Sequence, residues 1–267
     1  MQKEYSRKID NTGAYLERIG LSGEKISLTK AGLDKLVYAH LFTVPFENLD
    51  IYDDDMQVNL TIDALYDKIV VRRRGGYCFE QNAIFMSLLE SLGFEAHAVA
   101  ARILRPDGIL RPYSHRANIV TINGERFMCD VGYGGPICCS AISIDDESPQ
   151  EVYGSVFTVE QYDERNKLIV RHKEGEREPL FLFAPVPFYP QDFVPLSFYI
   201  SGMPESYFKM KRMVNLRAPD GSISVDGNIF REHRAGVVTE TELKTKEELE
   251  AVLREKFGVI FDIKKPV

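Results

Sequence analysis

The sequence contains no tryptophan and only four cysteines in 267 residues. Cys78, Cys129, Cys138 and Cys139 form no C-x-x-C pair, and no histidine lies at the spacing that zinc sites use. No apolar run approaches the roughly 18 residues of a membrane helix, and the first residues lack the apolar stretch of a signal peptide. We therefore expect no metal site, no membrane partner, reduced thiols and a cytoplasmic location.

Positive charge is also in deficit. The 33 lysines and arginines are outnumbered by 40 aspartates and glutamates, which gives a net charge of −7. This balance argues against a nucleic-acid partner, because such partners select for basic surfaces. The sequence has no G-x-x-x-x-G-K-[ST] phosphate loop, and the glycine-rich run at 130–135 does not match G-x-G-x-x-G. A chain of this length buries about 75% of its unfolded surface, which predicts one unit with sub-domains or two domains.

Helical periodicity dominates residues 1–93. Apolar-face residues recur at helical spacing in the order Leu33, Leu36, Val37, His40 and Leu41. Pro45 ends this helix, and residues 46–49 are expected to form a turn before the next helix begins at Ile62. His40 lies on the apolar face, which predicts a packed residue.

Short alternating runs replace the helical pattern from Phe94 onwards. Strands are predicted at residues 94–104, 117–122, 125–131, 155–162, 167–173 and 179–184. Turn-forming residues such as Pro106-Asp107-Gly108 separate them. This pattern predicts an antiparallel meander or a small barrel. The proline-rich, aromatic residues 185–195 are expected to connect it to the last part of the chain.

Residues 190–267 mix strand and helix patterns, so the whole chain is assigned to the α+β class. Runs at 208–216, 223–225 and 229–233 are separated by turns that contain Asp-Gly. Thr245 and Glu248 match a capping box, which opens a helix that Gly258 ends. Leu249, Val252 and Leu253 are expected to be its buried face.

Residues 72–82 join two helical patterns through a pair of glycines. One pattern runs into the glycines from Ile62, and a second leaves them and ends at Gly93. Cys78 therefore lies at a helix N-terminus, where the helix dipole stabilises a thiolate, and the arginines at 72–74 add positive charge. Such settings lower a thiol pKa from about 8.5 to about 3.5–7.5. We predict a reactive cysteine.

An Asn-Gly pair at 123–124 predicts a hairpin with a two-residue turn. Paired residue numbers then sum to 247, so Asp130 lies opposite Ala117. His115 is two residues further along the same face, within reach of Asp130. Cys129 points to the opposite face and is expected to be packed.

A cysteine at a helix start and a histidine–aspartate pair are the groups that thiol catalysis needs. His115 would accept the thiol proton of Cys78, while Asp130 would hold the imidazole in one tautomer. The backbone N–H of Cys78 is the expected oxyanion donor. Glu47 and Arg74 are expected to form a structural ion pair that joins two loops.

The remaining histidines are weaker candidates. His97 and Asp107 form a competing pair. His172 and His233 have no carboxylate in an obvious strand register, so we interpret them as structural or surface residues. The adjacent Cys138 and Cys139 are interpreted as packing residues.

Five motifs in this order resemble the arylamine N-acetyltransferase family. They are VPFENL at 44–49, RGGYCFE at 74–80, SH at 114–115, DVGYGG at 130–135 and SGMPESYF at 201–208. The resemblance implies a helical domain over 1–93 that carries the nucleophile and an antiparallel β-barrel over 94–189 that carries His and Asp. It also implies an α/β lid over 190–267, around a core like that of cysteine proteases.

The same resemblance implies the activity. The triad would be Cys78, His115 and Asp130. Acetyl-CoA would be the cosubstrate, with no permanently bound cofactor, and an aromatic amine or hydrazine would be the acceptor. Residues implied at the substrate site are Phe46, Phe79, Tyr133 and Gly134. Two departures are Tyr133, where the family commonly has phenylalanine, and Pro195-Leu196, near where it often has asparagine.

Other functions share this order of residues. A thiol hydrolase or transglutaminase-like enzyme would use the same cysteine, histidine and aspartate on peptide or amide substrates. An amide synthase of a biosynthetic cluster would be a variant of the same family. A binding protein without activity is disfavoured because Cys78, His115 and Asp130 are all present.

Overall fold

The computed structural model describes residues 4–135 and 138–267. Its first part is mainly helical, as predicted. In chain order the elements are α1 (Thr12–Arg18), α2 (Lys30–Leu41), β1 (Phe46–Glu47), α3 (Leu49–Tyr52), α4 (Ile62–Tyr66), a π-helical turn (Asp67–Val71) and α5 (Cys78–Leu92). Side chains cap the first two helices, since Asn11 accepts from the Ala14 N–H and Thr29 from the Gly32 N–H.

The prediction of a turn at residues 46–49 is wrong. Phe46 and Glu47 form a short strand, which pairs antiparallel with Asn215 and Val214 far along the chain. Helix α3 begins directly afterwards at Leu49. A two-residue strand leaves no alternation to recognise in a sequence, and its partner lies too far away to be inferred from local pattern.

The middle of the chain forms one antiparallel sheet of eight strands. They are β2 (Glu95–Ile103), β3 (His115–Ile122), β4 (Glu125–Cys129), β5 (Ile142–Ser143), β6 (Gln150–Val152), β7 (Ser155–Gln161), β8 (Lys167–Lys173) and β9 (Glu176–Phe183). Their spatial order is β5-β4-β3-β2-β9-β8-β7-β6. All six predicted strands are present, whereas the two- and three-residue strands β5 and β6 were not predicted.

The sheet curls until its two edges meet. The Gln150 side chain on β6 donates to the Ser143 carbonyl on β5 at 2.9 Å and accepts from the Ser143 N–H at 2.7 Å. Edge groups that would otherwise be unpaired are thereby satisfied. This closure gives the barrel-like middle part that the sequence predicts.

Helix α5 packs against the barrel, and residues 78–89 are all buried. Apolar side chains of the first helices and of the barrel form one continuous core. His40 is fully buried in it, between the Tyr15 hydroxyl and the Gln81 amide, each at 3.0 Å. The prediction that His40 is a packed residue is confirmed.

The connection predicted at 185–195 contains more structure than expected. A 3₁₀ turn (Pro190–Asp192) leads into helix α6 (Phe193–Gly202), and α7 (Tyr207–Met210) follows. Pro195 occupies the third position of α6. A proline is tolerated there because the N–H groups of the first turn have no intrahelical acceptor.

The last part of the chain is a five-stranded antiparallel sheet with one helix on it. The strands are β10 (Met213–Ala218), β11 (Gly221–Asp226), β12 (Ile229–Arg234) and β13 (Val237–Glu242), with β1 at the edge next to β10. Helix α8 (Lys246–Phe257) has the predicted Thr245 cap and ends at Gly258, which has a φ of 67°. All residues of β13 are exposed, so this strand lacks the alternation that would have predicted it.

Leu249 and Leu253 of α8 are buried against the sheet, as predicted. The α+β class, with a helical first part, a barrel-like middle and an α/β third part, is confirmed. Among residues 4–135 and 138–267, no helix combines the length and the apolar character needed to cross a bilayer.

Candidate active site

Cys78 is the first residue of helix α5, as predicted, and Gly93 ends that helix with a φ of 104°. The loop before it is held beside strand β1. The Gly76 N–H donates to the Pro45 carbonyl at 3.3 Å, and the Glu47 N–H donates to the Gly76 carbonyl at 3.0 Å. The start of helix α5 is thereby tied to the strand that joins the C-terminal sheet.

The β3–β4 hairpin has the predicted register. Ile122 pairs with Glu125, and Asn118 with Cys129. Asn123 and Gly124 both have positive φ, 52° and 87°, as a type I′ turn requires. His115 at the start of β3 therefore lies beside Asp130, which directly follows β4.

The hydrogen bond predicted between His115 and Asp130 is present. His115 Nε2 lies 2.5 Å from Asp130 Oδ2, and both side chains are buried. Cys78 lies near enough to act on the charge of the imidazole, and its Sγ donates to the Ser114 carbonyl at 3.7 Å. Because Nε2 is occupied by Asp130, Nδ1 is the nitrogen left for the sulfur.

The environment strongly favours the charged imidazole. Burial lowers the pKa of His115, but the charges of Asp130 and Cys78 and the hydrogen bond to Asp130 raise it by more. The net effect raises the pKa of His115 from 6.5 to about 10. A protonated imidazole beside the sulfur stabilises a thiolate, which is the reactive form of cysteine.

The second oxygen of Asp130 is fixed by groups that the sequence analysis missed. Oδ1 accepts from the Asn82 side chain at 2.8 Å and from the Gly132 N–H at 2.9 Å. Asn82 also donates to the Arg116 carbonyl at 2.6 Å and accepts from the Val131 N–H at 3.0 Å. It lies four residues after Cys78 on the same helix. This i,i+4 spacing was the available signal, since it places both side chains on one face.

Gly132 lets the loop that follows Asp130 approach helix α5. A Cβ at this position would lie 2.7 Å from Cys78 Cα and 2.8 Å from the Asn82 amide nitrogen. Neither the helix backbone nor the fully bonded amide can move away. The glycine after Asp130-Val131 is therefore required for the observed geometry.

Two of the three arginines before Cys78, Arg72 and Arg74, are paired with carboxylates and do not supply the positive charge expected of them. Arg72 pairs with Asp67 at 2.7 Å, and Arg74 pairs with Glu47 and Asp50, each at 2.7 Å. Arg74 and Glu47 are nearly inaccessible to solvent. Their predicted ion pair is confirmed, and the positive charge at the sulfur comes from His115 instead.

The ion pair belongs to a larger buried cluster under helix α5. Lys68 in the π-helical turn lies 2.7 Å from both Asp50 and Glu80. Glu80 in turn accepts from the Tyr77 N–H, the residue before Cys78, at 3.0 Å. Burial raises the pKa of Glu80, Lys68 lowers it, and Asp50 and Glu47 raise it again, to about 7. The cluster thus holds the first turn of helix α5.

A cavity of about 1050 Å³ opens onto Cys78 and His115. Phe46, Tyr133 and Gly134 line it, as the resemblance implies. A Cβ on Gly134 would lie 3.0 Å from the Phe46 ring, so the glycine allows that ring its place. Tyr133 lies edge-on to His115, with ring centroids 5.5 Å apart.

Phe79 does not line this cavity. It is fully buried, with its ring 5.5 Å from that of Tyr77 and 5.7 Å from that of Phe193. As the second residue of helix α5 it faces α6. Its ring packs between helices α5 and α6, on the side of α5 away from the cavity.

The competing histidine–aspartate pair is not formed. Asp107 pairs with Arg111 at 2.5 Å, and the Nε2 atom of His97 is buried without a hydrogen-bond partner. His172 Nε2 and the Thr158 hydroxyl share a hydrogen bond of 2.9 Å, and His233 is exposed on β12. Neither contacts the cavity.

The other three cysteines are buried, as predicted for Cys129, Cys138 and Cys139. Burial raises the pKa of the Cys129 thiol well above its ordinary value. Burial likewise raises the pKa of Cys139, and it raises that of Cys138 to about 12. Cys78, in contrast, lies beside His115.

The chain is similar to known proteins over most of its length. A family model described as N-acetyltransferase matches residues 30–266. The arylamine N-acetyltransferase of Mycolicibacterium smegmatis is 30% identical over 252 residues, which are 92% of this chain and 91% of that protein. The chain belongs to the arylamine N-acetyltransferase family. It is accordingly an enzyme of the transferase class, and the resemblance predicted from the sequence is confirmed.

Solved structures of arylamine N-acetyltransferases show the same fold. A crystal structure of the Mycobacterium smegmatis enzyme aligns with a TM-score of 0.87 and 29% identity, over 94% of this chain and 93% of that one. The Mycobacterium marinum arylamine N-acetyltransferase, solved in complex with CoA, aligns with a TM-score of 0.85 and 28% identity over the same shares.

Proposed function

We propose that this chain transfers an acetyl group from acetyl-CoA to the nitrogen of an arylamine, arylhydroxylamine or hydrazine through an acetyl-cysteine at Cys78. The observation that carries the proposal is the buried hydrogen bond between His115 and Asp130 beside Cys78, at a cavity large enough for either substrate. The cycle is of the ping-pong type, because the acetyl group resides on the enzyme between the two substrates.

In the first half-reaction His115 accepts the thiol proton, and the sulfur of Cys78 attacks the acetyl carbonyl of acetyl-CoA. The new thioester forms as the old carbon–sulfur bond breaks, and CoA leaves with the proton from His115. The Cys78 N–H belongs to the first turn of α5, where backbone N–H groups have no intrahelical acceptor. It is therefore the donor proposed for the developing oxyanion.

In the second half-reaction the acceptor nitrogen attacks the acetyl carbonyl on Cys78. The carbon–sulfur bond breaks, His115 takes the proton lost by the nitrogen, and the amide leaves. Water competes with the amine for the thioester, so an apolar site favours transfer over hydrolysis. Phe46 and Tyr133 supply apolar surface next to the sulfur.

The cavity also has polar walls that suit the donor. Arg105, Arg217 and Arg231 line it together with Ser222 and Ser224. Guanidinium groups bind phosphate oxygens in two-pronged hydrogen bonds, and CoA carries several phosphates. These residues support acetyl-CoA as the donor.

The test is mass spectrometry of the intact protein after addition of acetyl-CoA. We expect one acetyl group on Cys78, followed by its loss and the appearance of N-acetylated product when 4-methoxyaniline is added. The variant Cys78→Ala should gain no acetyl group, whereas the matched control Cys129→Ala should behave like the wild type. Hydrolysis of acetyl-CoA without transfer to the amine would instead indicate a thiol hydrolase.

A further inference from the structure

The side chain of Gln81 is bonded to the loop that leads into Cys78. Its Nε2 atom donates to the Gly76 carbonyl at 2.6 Å and to the Pro45 carbonyl at 3.1 Å. Both hydrogens of the amide are therefore used. The remaining polar atom of the side chain, Oε1, lies 3.0 Å from His40 Nε2. Gln81 and His40 are both buried, so bulk water does not compete for these bonds.

The neighbours of His40 determine which of its ring nitrogens carries the hydrogen. Burial lowers the pKa of His40 from 6.5 to about 3, so the ring is neutral and has one N–H. Because Gln81 Oε1 can only accept, that hydrogen is on Nε2. The other nitrogen, Nδ1, then accepts from the Tyr15 hydroxyl at 3.0 Å. The hydrogen bonds thus run in one direction, from Tyr15 through His40 and Gln81 to the backbone carbonyls.

This series of bonds ends on the peptide groups that orient the start of helix α5. The Gly76 carbonyl accepts from the Gln81 side chain, and the Tyr77 N–H at the other end of the same peptide group donates to Glu80 at 3.0 Å. In the next peptide group, the Tyr77 carbonyl accepts from the backbone N–H groups of Glu80 and Gln81, each at 3.0 Å. The two peptide planes before Cys78 are therefore both fixed.

The orientation of the Tyr77 carbonyl determines the direction of the Cys78 N–H. In a trans peptide the C=O and N–H bonds point in opposite directions. The Tyr77 carbonyl points into the first turn of α5, so the Cys78 N–H points out of the N-terminal end of the helix. Cys78 lines the cavity at this end. An oxyanion donor acts at about 2.7–3.1 Å, so a small rotation of this peptide group weakens it.

We propose that Gln81, held by His40, is a positioning residue for acetyl transfer, which orients the Cys78 N–H towards the developing oxyanion. This assignment rests on the proposed acetyl transfer. Without the Gln81 amide, the Gly76 carbonyl loses one donor and the peptide groups after it can rotate. His40 acts one bond further away. Without its N–H, Gln81 Oε1 loses its partner and the amide can turn over, which places an oxygen where a nitrogen must donate.

The test compares two reactions of the same sulfur. Acetylation by acetyl-CoA passes through an oxyanion, whereas alkylation by iodoacetamide forms a sulfur–carbon bond as iodide leaves and needs no oxyanion donor. We expect Gln81→Met to lower the single-turnover acetylation rate about thirtyfold, less than the roughly 10²–10³ that complete removal of an oxyanion donor costs. The half-saturating concentration of acetyl-CoA and the alkylation rate of Cys78 should both stay within about threefold of the wild type.

Variants of His40 test the proposal without a change at Gln81. His40→Phe keeps an aromatic ring but cannot donate, and it should lower the acetylation rate about tenfold. His40→Gln places an amide N–H near the position of Nε2 and should keep the rate within about threefold of the wild type. This pair of variants decides the matter if Gln81→Met does not fold.

The matched control is Gln161→Met. The Gln161 amide also donates to two backbone carbonyls, those of Asp163 and Asn166, but it does so in an exposed turn. This variant should equal the wild type in both reactions.

Three outcomes would contradict the proposal. Equal losses of acetylation and alkylation in Gln81→Met and His40→Phe would show that these residues only maintain the fold. Acetylation at the wild-type rate in both variants would overturn the positioning role, and a His40→Gln variant as slow as His40→Phe would remove His40 from it. A wild type that acetyl-CoA does not acetylate would instead overturn the proposed function itself.

Discussion

His115 Nε2 lies 2.5 Å from Asp130 Oδ2, although the two residues stand at opposite ends of a hairpin sequence. The two-residue turn at Asn123-Gly124 sets the strand register and brings them to the same end of the sheet. Asp130 is fixed from its other side by Asn82, at 2.8 Å. Both oxygens of the carboxylate are therefore hydrogen-bonded, which fixes its orientation.

Asp130→Asn should leave the hairpin folded and slow acetyl transfer. An amide at this position donates to His115 Nε2 and so favours the wrong tautomer of the ring. In a serine-triad enzyme the analogous change lowers the rate by about 10⁴, and we expect a fall of at least about 10² here. Single-turnover acetylation of the protein by acetyl-CoA measures it.

Asp145→Asn is the control for that variant, because Asp145 is exposed and pairs with Arg126 of the same hairpin at 2.5 Å. It should be acetylated at the wild-type rate. An Asp130→Asn rate within twofold of the wild type would show that Asp130 is structural only.

The contribution of His115 to stability should decrease with rising pH. Its pKa is raised from 6.5 to about 10 in the folded protein. A group with a raised pKa stabilises the fold fully below its unfolded pKa and loses that effect as the pH rises through the folded pKa. The difference in free energy of unfolding between wild type and His115→Gln should therefore be largest near pH 6 and shrink towards pH 10. Urea denaturation across this range measures it, and a difference independent of pH would refute the charged imidazole.

Cys78 should be alkylated before the other three cysteines at neutral pH. Its sulfur has a histidine partner, whereas burial raises the pKa of Cys129, Cys138 and Cys139. Peptide mapping after brief iodoacetamide treatment of the folded protein gives the order of labelling. Equal labelling of all four would contradict this prediction, and Cys78→Ala should remain unlabelled over the same time.

Asn82→Ala should lower both stability and activity. The change leaves the Arg116 carbonyl and the Val131 N–H buried without their partner and frees one oxygen of Asp130. Each buried group that loses its partner costs about 1–3 kcal/mol, so we expect a loss of about 2–4 kcal/mol in the free energy of unfolding.

Asn166→Ala is the matched control for Asn82→Ala, since Asn166 bonds to Asp163 in an exposed turn. It should stay within about 0.5 kcal/mol of the wild type. Equal effects of the two changes on the free energy of unfolding, measured in urea, would remove the special role of Asn82.

The reactive part of the site could be predicted because it depends on local rules. Two glycines before a helical pattern place Cys78 at a helix start, and an Asn-Gly turn determines the register that joins His115 to Asp130. Each rule needs only a few neighbouring residues. The resemblance to known motifs then supplied the order of the three parts of the chain.

The contacts that support the site could not be predicted, because they join residues that lie far apart in the sequence. No sequence pattern predicts that Lys68 pairs with Asp50 and Glu80. These ion pairs form only after three segments of the chain have packed together. The charge expected from Arg74 is neutralised for the same reason. Phe79 follows the nucleophile in sequence, but helix α6 buries it away from the cavity.

The pairing of strand β1 with a distant strand affects the order in which contacts form during synthesis. Asn48, which follows it, donates to the Phe208 and Lys211 carbonyls at 2.8 and 2.9 Å, and its own side chain accepts from the Met213 N–H at 2.7 Å. Synthesis at about 5–20 residues per second separates the emergence of these partners by on the order of ten seconds. During that interval β10 is not yet available to pair with β1, so the loop before Cys78 acquires its final support only late in translation.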